Sequence, residues 1–217
     1  MIDLTQFCLV AILLSVLLSL GSTRLMALVK IMALQGLLVS LVPVLLKGGE
    51  TLVSGSIVFF LIMVGVKAFA IPGLLYVAVK RVTTKREVEP FIGYHASILF
   101  GLIILLVSVF ITNQLNFLLP HGQALVLICA ITTLASGLFL MMARKKAITQ
   151  VIGYLMLENG IYLVGTALTH HNHTIYIVEF GVLLDVLVGV MVMGIILHNI
   201  NSAFDDVDTT LLRQLKD

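Results

Sequence analysis

Long apolar stretches fill most of the chain, and the short loops between them, together with the C-terminal tail, hold most of its charges. A helix needs about 20 mainly apolar residues to cross the ~30 Å hydrocarbon core of a membrane. Seven stretches meet this requirement: Leu4–Leu20, Leu25–Leu46, Leu52–Val79, Gly93–Ile111, Gln123–Ala143, Ile148–Leu168 and Ile175–His198. They lack the alternation of polar and apolar residues found in barrel strands, and helices are the other structure that satisfies the backbone in lipid. We therefore predict an all-α integral membrane protein with about seven transmembrane helices.

The composition supports the same class of protein. Hydrophobic residues make up 60% of the chain and charged residues 11%, with a mean hydropathy of +1.15, whereas soluble domains carry about 25% charged residues. The net charge of +2 is small and lies in the loops, so membrane lipids rather than nucleic acid are the expected surroundings. The opening MIDLTQF lacks the basic region of a signal peptide, which favours an uncleaved first span.

The basic residues predict the orientation of the chain. Those at or near the ends of the predicted spans fall on one side: Arg24, Lys30, Lys80, Arg81, Lys85, Arg86, Arg144, Lys145 and Lys146. Lys47 is almost alone on the other side. By the positive-inside rule, the N-terminus lies outside and the C-terminus is cytoplasmic.

Two carboxylates lie near the middle of the last two predicted spans. Glu158 is about 11 residues into its helix, or roughly 16 Å at 1.5 Å per residue, and Asp185 is about ten residues into the next. A carboxylate at this depth costs roughly 2.5–3.5 kcal/mol, so a helix that keeps one usually turns it inward and uses it. Gly181, Asp185 and Gly189 recur every four residues, which predicts close approach of another helix. We predict that the two acids form an ion or proton path.

A third intramembrane charge, Lys67, lies in the sequence VGVKAFAIPG. Pro72 lacks an N–H and would leave the carbonyl of Ala68 without its helical partner, and a broken helix beside a charge is common in ion paths. Two other interpretations remain open. Lys67 could be a structural counter-ion for an acid on a neighbouring helix, or its ammonium group could extend to the membrane surface.

Other polar residues are weaker candidates. Glu179 lies near the outer interface, where it could form the exit of a proton path. Asn159, Tyr154 and Tyr162 flank Glu158 and could hydrogen-bond it or pack against neighbouring helices.

The outer-loop histidines His170, His171 and His173 lack the acid or cysteine that would complete a metal site, and His95 and His198 do not suggest haem. No nucleophile with a base, phosphate loop or cysteine cluster is present, so we predict a non-catalytic chain without a cofactor or metal of its own.

A weak internal repeat predicts how the helices are organised. RLMALVKIMALQGLLVSL resembles KAITQVIGYLMLENGIYLVG, with Gln35-Gly36 aligned with Asn159-Gly160 and Leu34 in the place of the acid. This pattern predicts two parallel three-helix units separated by one extra helix. The expected regions are residues 1–113, residues 114–200 and a cytoplasmic amphipathic tail at 201–217.

The region from Gln123 to Ile200 resembles the small K subunit of respiratory complex I and the C subunit of Mrp-type multisubunit sodium/proton antiporters. The resemblance rests on the Leu134–Met142 helix end, the basic turn ARKK at 143–146, VIGYLMLENGIYL at 151–163 and LLDVLVGVMVMGIIL at 183–197. Over its whole length, including the tail SAFDDVDTTLLRQLKD, the chain is similar to component E of the hydrogenase-4 and formate hydrogenlyase complexes. The resemblance implies a location in the inner membrane of a prokaryotic cell.

The resemblance also assigns the two acids. The K subunit has a glutamate directly after a glycine-hydrophobic pair in its second helix, whereas here the acid comes one turn after Gly153-Tyr154, as Glu158. Its third-helix glutamate, followed four residues later by glycine, falls on Asp185 with Gly189. A shift of one turn keeps an acid on roughly the same helix face but moves it about 5 Å along the axis.

The implied function is that of an accessory membrane subunit of a complex-I-like NiFe-hydrogenase. Glu158 and Asp185 would relay protons or sodium ions, and Lys67 would shift their proton affinity. The resemblance implies NiFe and iron–sulfur centres in the hydrogenase large and small subunits, and antiporter-like membrane subunits as further partners. Three alternatives remain: a structural anchor between hydrogenase and antiporter-like subunits, a subunit of a cation/proton antiporter, and a stand-alone transporter.

Overall fold

The computed structural model describes residues 4–46, 60–61, 63–81, 91–115, 123–168, 188–192 and 194. The helices are α1 (Leu4–Gly21), α2 (Leu25–Leu46), a π-helical segment (Gly65–Ala70) continuing into α3 (Ile71–Arg81), α4 (Tyr94–Leu115), α5 (Ala124–Ala143) and α6 (Ala147–Leu168). Residues 60–61, 63–64, 188–192 and 194 are helical as well. The described ranges contain no β-strand, which confirms the all-helical prediction for this part of the chain.

Five of the described helices are long and apolar enough to cross a membrane: α1, α2, α4, α5 and α6. They have 18 to 22 residues, which at 1.5 Å per residue is about 27–33 Å. Their bounds agree with five predicted spans to within four residues. The third and seventh predicted spans lie partly outside the described residues, so the total of seven stays a prediction.

Helices α5 and α6 pack closely because glycines replace larger side chains at their contact. A Cβ added to Gly160 would lie 2.6 Å from Leu134 Cα, and one added to Gly153 would lie 2.9 Å from the Gly137 carbonyl oxygen. A Cβ on Gly137 would meet the Leu157 backbone. This is the small-residue contact that allows helices to approach in lipid, and it fixes the rotation of α6 about its own axis.

Buried Arg144, in the turn between α5 and α6, joins three parts of the fold. Its Nη2 donates to the Leu20 carbonyl at 2.7 Å, and its Nη1 donates to the Ile92 carbonyl at 3.3 Å. The guanidinium carbon lies 4.3 Å from the centre of the Tyr94 ring. Carbonyls in the last turn of a helix lack helical donors, so Arg144 caps the end of α1. Arg144, which the sequence predicts as a loop charge, is 1% exposed, whereas its neighbour Lys145 is exposed and Lys146 is half-buried.

The interior of the bundle has two apolar clusters with a polar layer between them. The first cluster includes Leu20, Leu28, Leu75 and Ile152, and the second includes Ile12, Val39, Val126 and Leu163. On each packed helix, buried polar residues separate the positions that belong to the two clusters. We call this set the polar layer: Ser15, Gln35, Lys67, Thr132, Thr133, Ser136, Glu158 and Asn159.

Candidate functional site

Glu158 lies near the middle of α6 and points away from the contact with α5. Gly153 and Gly160, seven residues apart, share the face of α6 that packs on α5. At about 100° per residue, Glu158 is rotated about 200° from Gly160, so it lies on the opposite side of the helix. The close glycine packing on one side therefore positions the carboxylate on the other side, where it is 1% exposed.

Lys67 is presented to Glu158 from a π-helical segment. The Ile71 N–H donates to the Val66 carbonyl, five residues back, and this wider register spans Gly65–Ala70. In the ordinary α-helical register expected from the sequence, Pro72 would deprive the Ala68 carbonyl of a donor. In the π register, the donor that Pro72 cannot supply is the one for the Lys67 carbonyl. Single-turn π-helices occur frequently at functional sites.

Helix α2 contacts the Lys67 backbone directly through Gly36. A Cβ added to Gly36 would lie 2.7 Å from the Lys67 carbonyl oxygen and 3.1 Å from Lys67 Cβ. Real Cβ atoms essentially never approach backbone oxygens this closely. Gly36 is thus the residue that allows α2 to hold the π-helical segment in place.

The central contact is an ion pair between Lys67 Nζ and Glu158 Oε1. The Lys67 ammonium also donates to Asn159 Oδ1 at 3.4 Å and lies 5.9 Å from the centre of the Tyr162 ring. The two charged side chains are 3% and 1% exposed. The structure therefore gives Lys67 a counter-ion on a neighbouring helix, as one of the three interpretations of the sequence predicted, and it does not extend to the membrane surface.

A small cavity of about 10 Å³ adjoins the pair. It is lined by side chains or backbone of three helices: Met32, Gly36, Lys67, Ile71, Pro72, Leu155 and Asn159. A cavity must offer roughly 10–15 Å³ and two or more polar partners to hold one water molecule. Lys67 and Asn159 provide polar groups, so the site has the size and the chemistry for a single bound water.

A buried ion pair is costly to build, and this cost argues for a role beyond stability. Removing two charges from water costs several kcal/mol per ion even after relaxation, and apolar residues of similar volume often stabilise a protein equally well or better. Chemically, the pair can exchange a proton. Protonation of Glu158 would neutralise the carboxylate and remove its attraction for Lys67.

The structure places the other predicted residues as follows. Asn159 and Tyr162 contact the pair, whereas Tyr154 packs against the first apolar cluster. Asp185 and Glu179 lie outside the described residues. A Cβ at Gly189 would meet no described atom within 4 Å, and Gly181 lies outside the described residues, so the close helix approach along this stripe stays a prediction. His170, His171, His173 and His198 also lie outside the described residues, and His95 is exposed.

Sequence reasoning missed two residues. Gln35 was noted only as part of a repeat, yet it is fully buried in the polar layer. Arg144 was counted as a loop charge, although it is a buried cap of α1. The stripe of Leu28, Met32, Val39 and Val42, spaced to share one face of α2 with Gln35, could have signalled an amide in a core position. The sequence held no comparable signal for Arg144.

Within the described ranges, no three histidine, cysteine, aspartate or glutamate residues group as they would around a metal ion. The fold and the site together define an integral membrane protein with a helical bundle around a buried lysine–glutamate pair.

Comparison with known proteins gives the family. The chain is 31% identical over 192 residues to Uncharacterized protein Rv0085 of Mycobacterium tuberculosis, covering 88% of this chain and 86% of that protein. It therefore belongs to the same family as Rv0085. It is also 24% identical over 150 residues to Hydrogenase-4 component E of Escherichia coli K12, covering 69% of this chain and 68% of that protein. No family model matches the chain, and no solved structure matches it.

Proposed function

We propose that the chain is an accessory membrane subunit of a complex-I-like NiFe-hydrogenase of the hydrogenase-4 or formate hydrogenlyase type, and that it contributes to proton translocation. The similarity to a hydrogenase-4 component supports the kind of complex. The buried Lys67–Glu158 pair is the observation that carries the role in translocation. A membrane helix rarely keeps such charges unless they pair, face a cavity or mark an ion path, and this pair adjoins a cavity.

In the proposed mechanism, Glu158 alternates between carboxylate and carboxylic acid. In the charged state it attracts the Lys67 ammonium, and in the protonated state that attraction is lost. A conformational change in a partner subunit that alters the distance between the two groups would therefore change the proton affinity of Glu158. Electron transfer would take place at NiFe and iron–sulfur centres in the hydrogenase subunits, which would supply the energy for that change.

Asp185 is the proposed second member of the path. It lies in the part of the chain that resembles the complex I K subunit, and its predicted depth is similar to that of Glu158. Glu179, nearer the outer interface, would then be the exit. Protons are the proposed coupling ion because Glu158 can carry a proton by itself, whereas the cavity beside the pair is no larger than one water molecule.

A structural anchor is the second candidate, and the ion pair itself favours it. Lys67 and Glu158 neutralise each other inside one chain, as they would if their only role were to join the π-helical segment to α6. In that case the charges would support assembly between hydrogenase and antiporter-like subunits without moving protons.

Replacement of Lys67 by arginine separates the two candidates. Arginine keeps the positive charge and still pairs with Glu158, but its planar guanidinium can bind the carboxylate through two hydrogen bonds and so disfavours the protonated state of Glu158. We expect the Lys67→Arg complex to assemble and produce hydrogen normally in reconstituted vesicles, with proton translocation per hydrogen reduced severalfold. Normal translocation in a fully assembled Lys67→Arg complex would contradict the proton role and favour the anchor.

Two further variants control this experiment. Lys80→Arg makes the same change at an exposed position on α3 and should leave every readout unchanged. Lys67→Met removes the charge, and both candidates predict that it impairs assembly. Affinity capture of the tagged chain followed by mass spectrometry would measure assembly and identify the partner subunits. Capture of antiporter-like subunits without a hydrogenase would move the assignment to cation/proton exchange.

A further inference from the structure

Gln35 is the most unusual side chain in the polar layer, because nothing in the described protein satisfies it. It is 0% exposed, and neither its amide nitrogen nor its carbonyl oxygen has a hydrogen-bond partner among the described residues. A primary amide offers two donors and two acceptor sites. A buried amide that makes no hydrogen bond is rare in native proteins and demands a physical explanation.

The position of Gln35 on α2 connects it with the ion pair. Met32, one turn earlier, and Gly36, the next residue, both line the cavity beside Lys67. Gln35 therefore lies on the same turns of α2 as the cavity. The side of α2 that carries it is otherwise apolar, and it faces the interior of the bundle. Polar groups that are not paired with protein in such an interior are usually hydrated.

Two residues on α5 also have buried polar groups without a partner among the described residues. The hydroxyl groups of Thr132 and Ser136 are buried, lie one turn apart and have no partner among the described residues. In contrast, Ser15 and Thr133, in the same layer, donate to carbonyls of their own helices. The polar layer thus contains unused hydrogen-bonding groups on two helices besides those that bear the ion pair.

We propose that Gln35 binds water in the polar layer. This water would lie next to the water site beside the Lys67–Glu158 pair and would extend it past α2. The functional effect of this water rests on the proposed function, because the water would carry protons to or from Glu158. Gln35 is a positioning residue in this scheme: it orients water through its amide and is not itself protonated. Ser136 and Thr132 would hydrogen-bond further water in the same layer.

The presence of water can be tested without measuring activity. X-ray radiolysis converts bound water into hydroxyl radicals, which oxidise nearby sulfur atoms. Met32 lines the cavity and is 3% exposed, whereas Met156 lies in the first apolar cluster and is 0% exposed. In the intact membrane complex we expect Met32 to be oxidised severalfold faster than Met156, and the Gln35→Leu variant should lower the Met32 rate to the part that comes from water at Lys67 and Asn159. An unchanged Met32 rate in Gln35→Leu would overturn the proposal.

The functional consequence needs a separate measurement in vesicles. In an assembled Gln35→Leu complex we expect the rate of proton translocation to fall by about tenfold, the effect of losing roughly one hydrogen-bonded link, while Gln35→Asn, which keeps the amide, should recover part of it. Thr112→Val is the matched control, since Thr112 on α4 is also buried without a partner among the described residues but lies outside the polar layer.

Glu158→Gln in the same assay distinguishes the two possible failures. Loss of translocation in Glu158→Gln together with normal translocation in Gln35→Leu would overturn the role of Gln35 and leave the proposed function intact. Normal translocation in Glu158→Gln would overturn the proposed function, and the proton-carrying role of water at Gln35 with it.

Discussion

Helices α2 and α6 each carry an amide residue followed by glycine near their centres, but the residue before this pair has a different environment in each helix. In α6, Asn159-Gly160 follows Glu158, which is 1% exposed and paired with Lys67. In α2, Gln35-Gly36 follows Leu34, which is 55% exposed. The position that carries the acid in one helix thus points out of the bundle in the other.

The reason for this difference lies in what each glycine packs against. Gly160 packs on α5, which turns the preceding acid toward Lys67. Gly36 packs on the Lys67 backbone, which turns Leu34 away from the bundle. A carboxylate is tolerated in a membrane where packing brings it to a partner or a polar cavity, and of these two helices α6 meets that condition.

Breaking the ion pair should have the largest effect on stability. Lys67→Met leaves Glu158 as an uncompensated buried charge, which typically costs about 3–5 kcal/mol. The double variant Lys67→Met with Glu158→Leu removes both charges and should recover most of this loss. Thermal denaturation of the detergent-solubilised complex would measure both effects, and a double variant no more stable than Lys67→Met would argue against the pair.

An acid placed at the corresponding position of α2 should be poorly tolerated. Leu34→Glu would expose a carboxylate on the outer side of the bundle, with a cost of about 2.5–3.5 kcal/mol if that side meets lipid. We expect a sharp fall in membrane insertion, measured by glycosylation mapping, with Leu34→Met as the neutral control. Equal insertion of Leu34→Glu and Leu34→Met would show that this face does not meet lipid.

A methyl group at Gly36 should displace the π-helical segment. Gly36→Ala forces a Cβ against the Lys67 carbonyl, and overpacking of this kind costs about 1–3 kcal/mol. Gly73→Ala on α3 is the matched control, because a Cβ there meets nothing within 4 Å. Denaturation midpoints should fall for Gly36→Ala alone; equal midpoints for the two variants would mean that α2 does not hold Lys67 in place.

Gln35→Leu should have the smallest effect on stability. Replacing an amide that has no protein partner by an apolar group of similar size is often neutral or slightly stabilising, within about 1 kcal/mol. The denaturation midpoint of the assembled complex should therefore be unchanged or raised. A loss comparable to that of Lys67→Met would show that Gln35 makes an essential contact to protein.

The helices were predictable because each one is a long apolar run with clear ends. The bounds of α2 were predicted to the residue, since Arg24 and Lys47 flank it. The π-helical register around Lys67 could not be predicted, because the residues of this segment do not distinguish an α-helical turn from a π-helical turn. The contact with Gly36 on α2, which does favour one register, is a tertiary contact.

The candidate site was only partly predictable. Glu158 and Lys67 stood out because charges are rare in membrane spans, but their pairing depends on how α2, α3 and α6 are rotated. That rotation follows from contacts between distant residues, such as Gly160 with Leu134, which a single sequence does not reveal. The burial of Arg144 could not be predicted for the same reason. Whether an arginine faces water or caps a helix depends on where the ends of the neighbouring helices lie.

The most direct test of the account is the number of protons translocated per hydrogen molecule by the Glu158→Gln complex in sealed vesicles. Glutamine keeps the size of the side chain and one oxygen that can accept from Lys67, but it cannot take up and release a proton. The account predicts that the hydrogenase reaction continues in an assembled complex while the ratio of protons to hydrogen falls. An unchanged ratio, with assembly confirmed by mass spectrometry, would contradict the central claim.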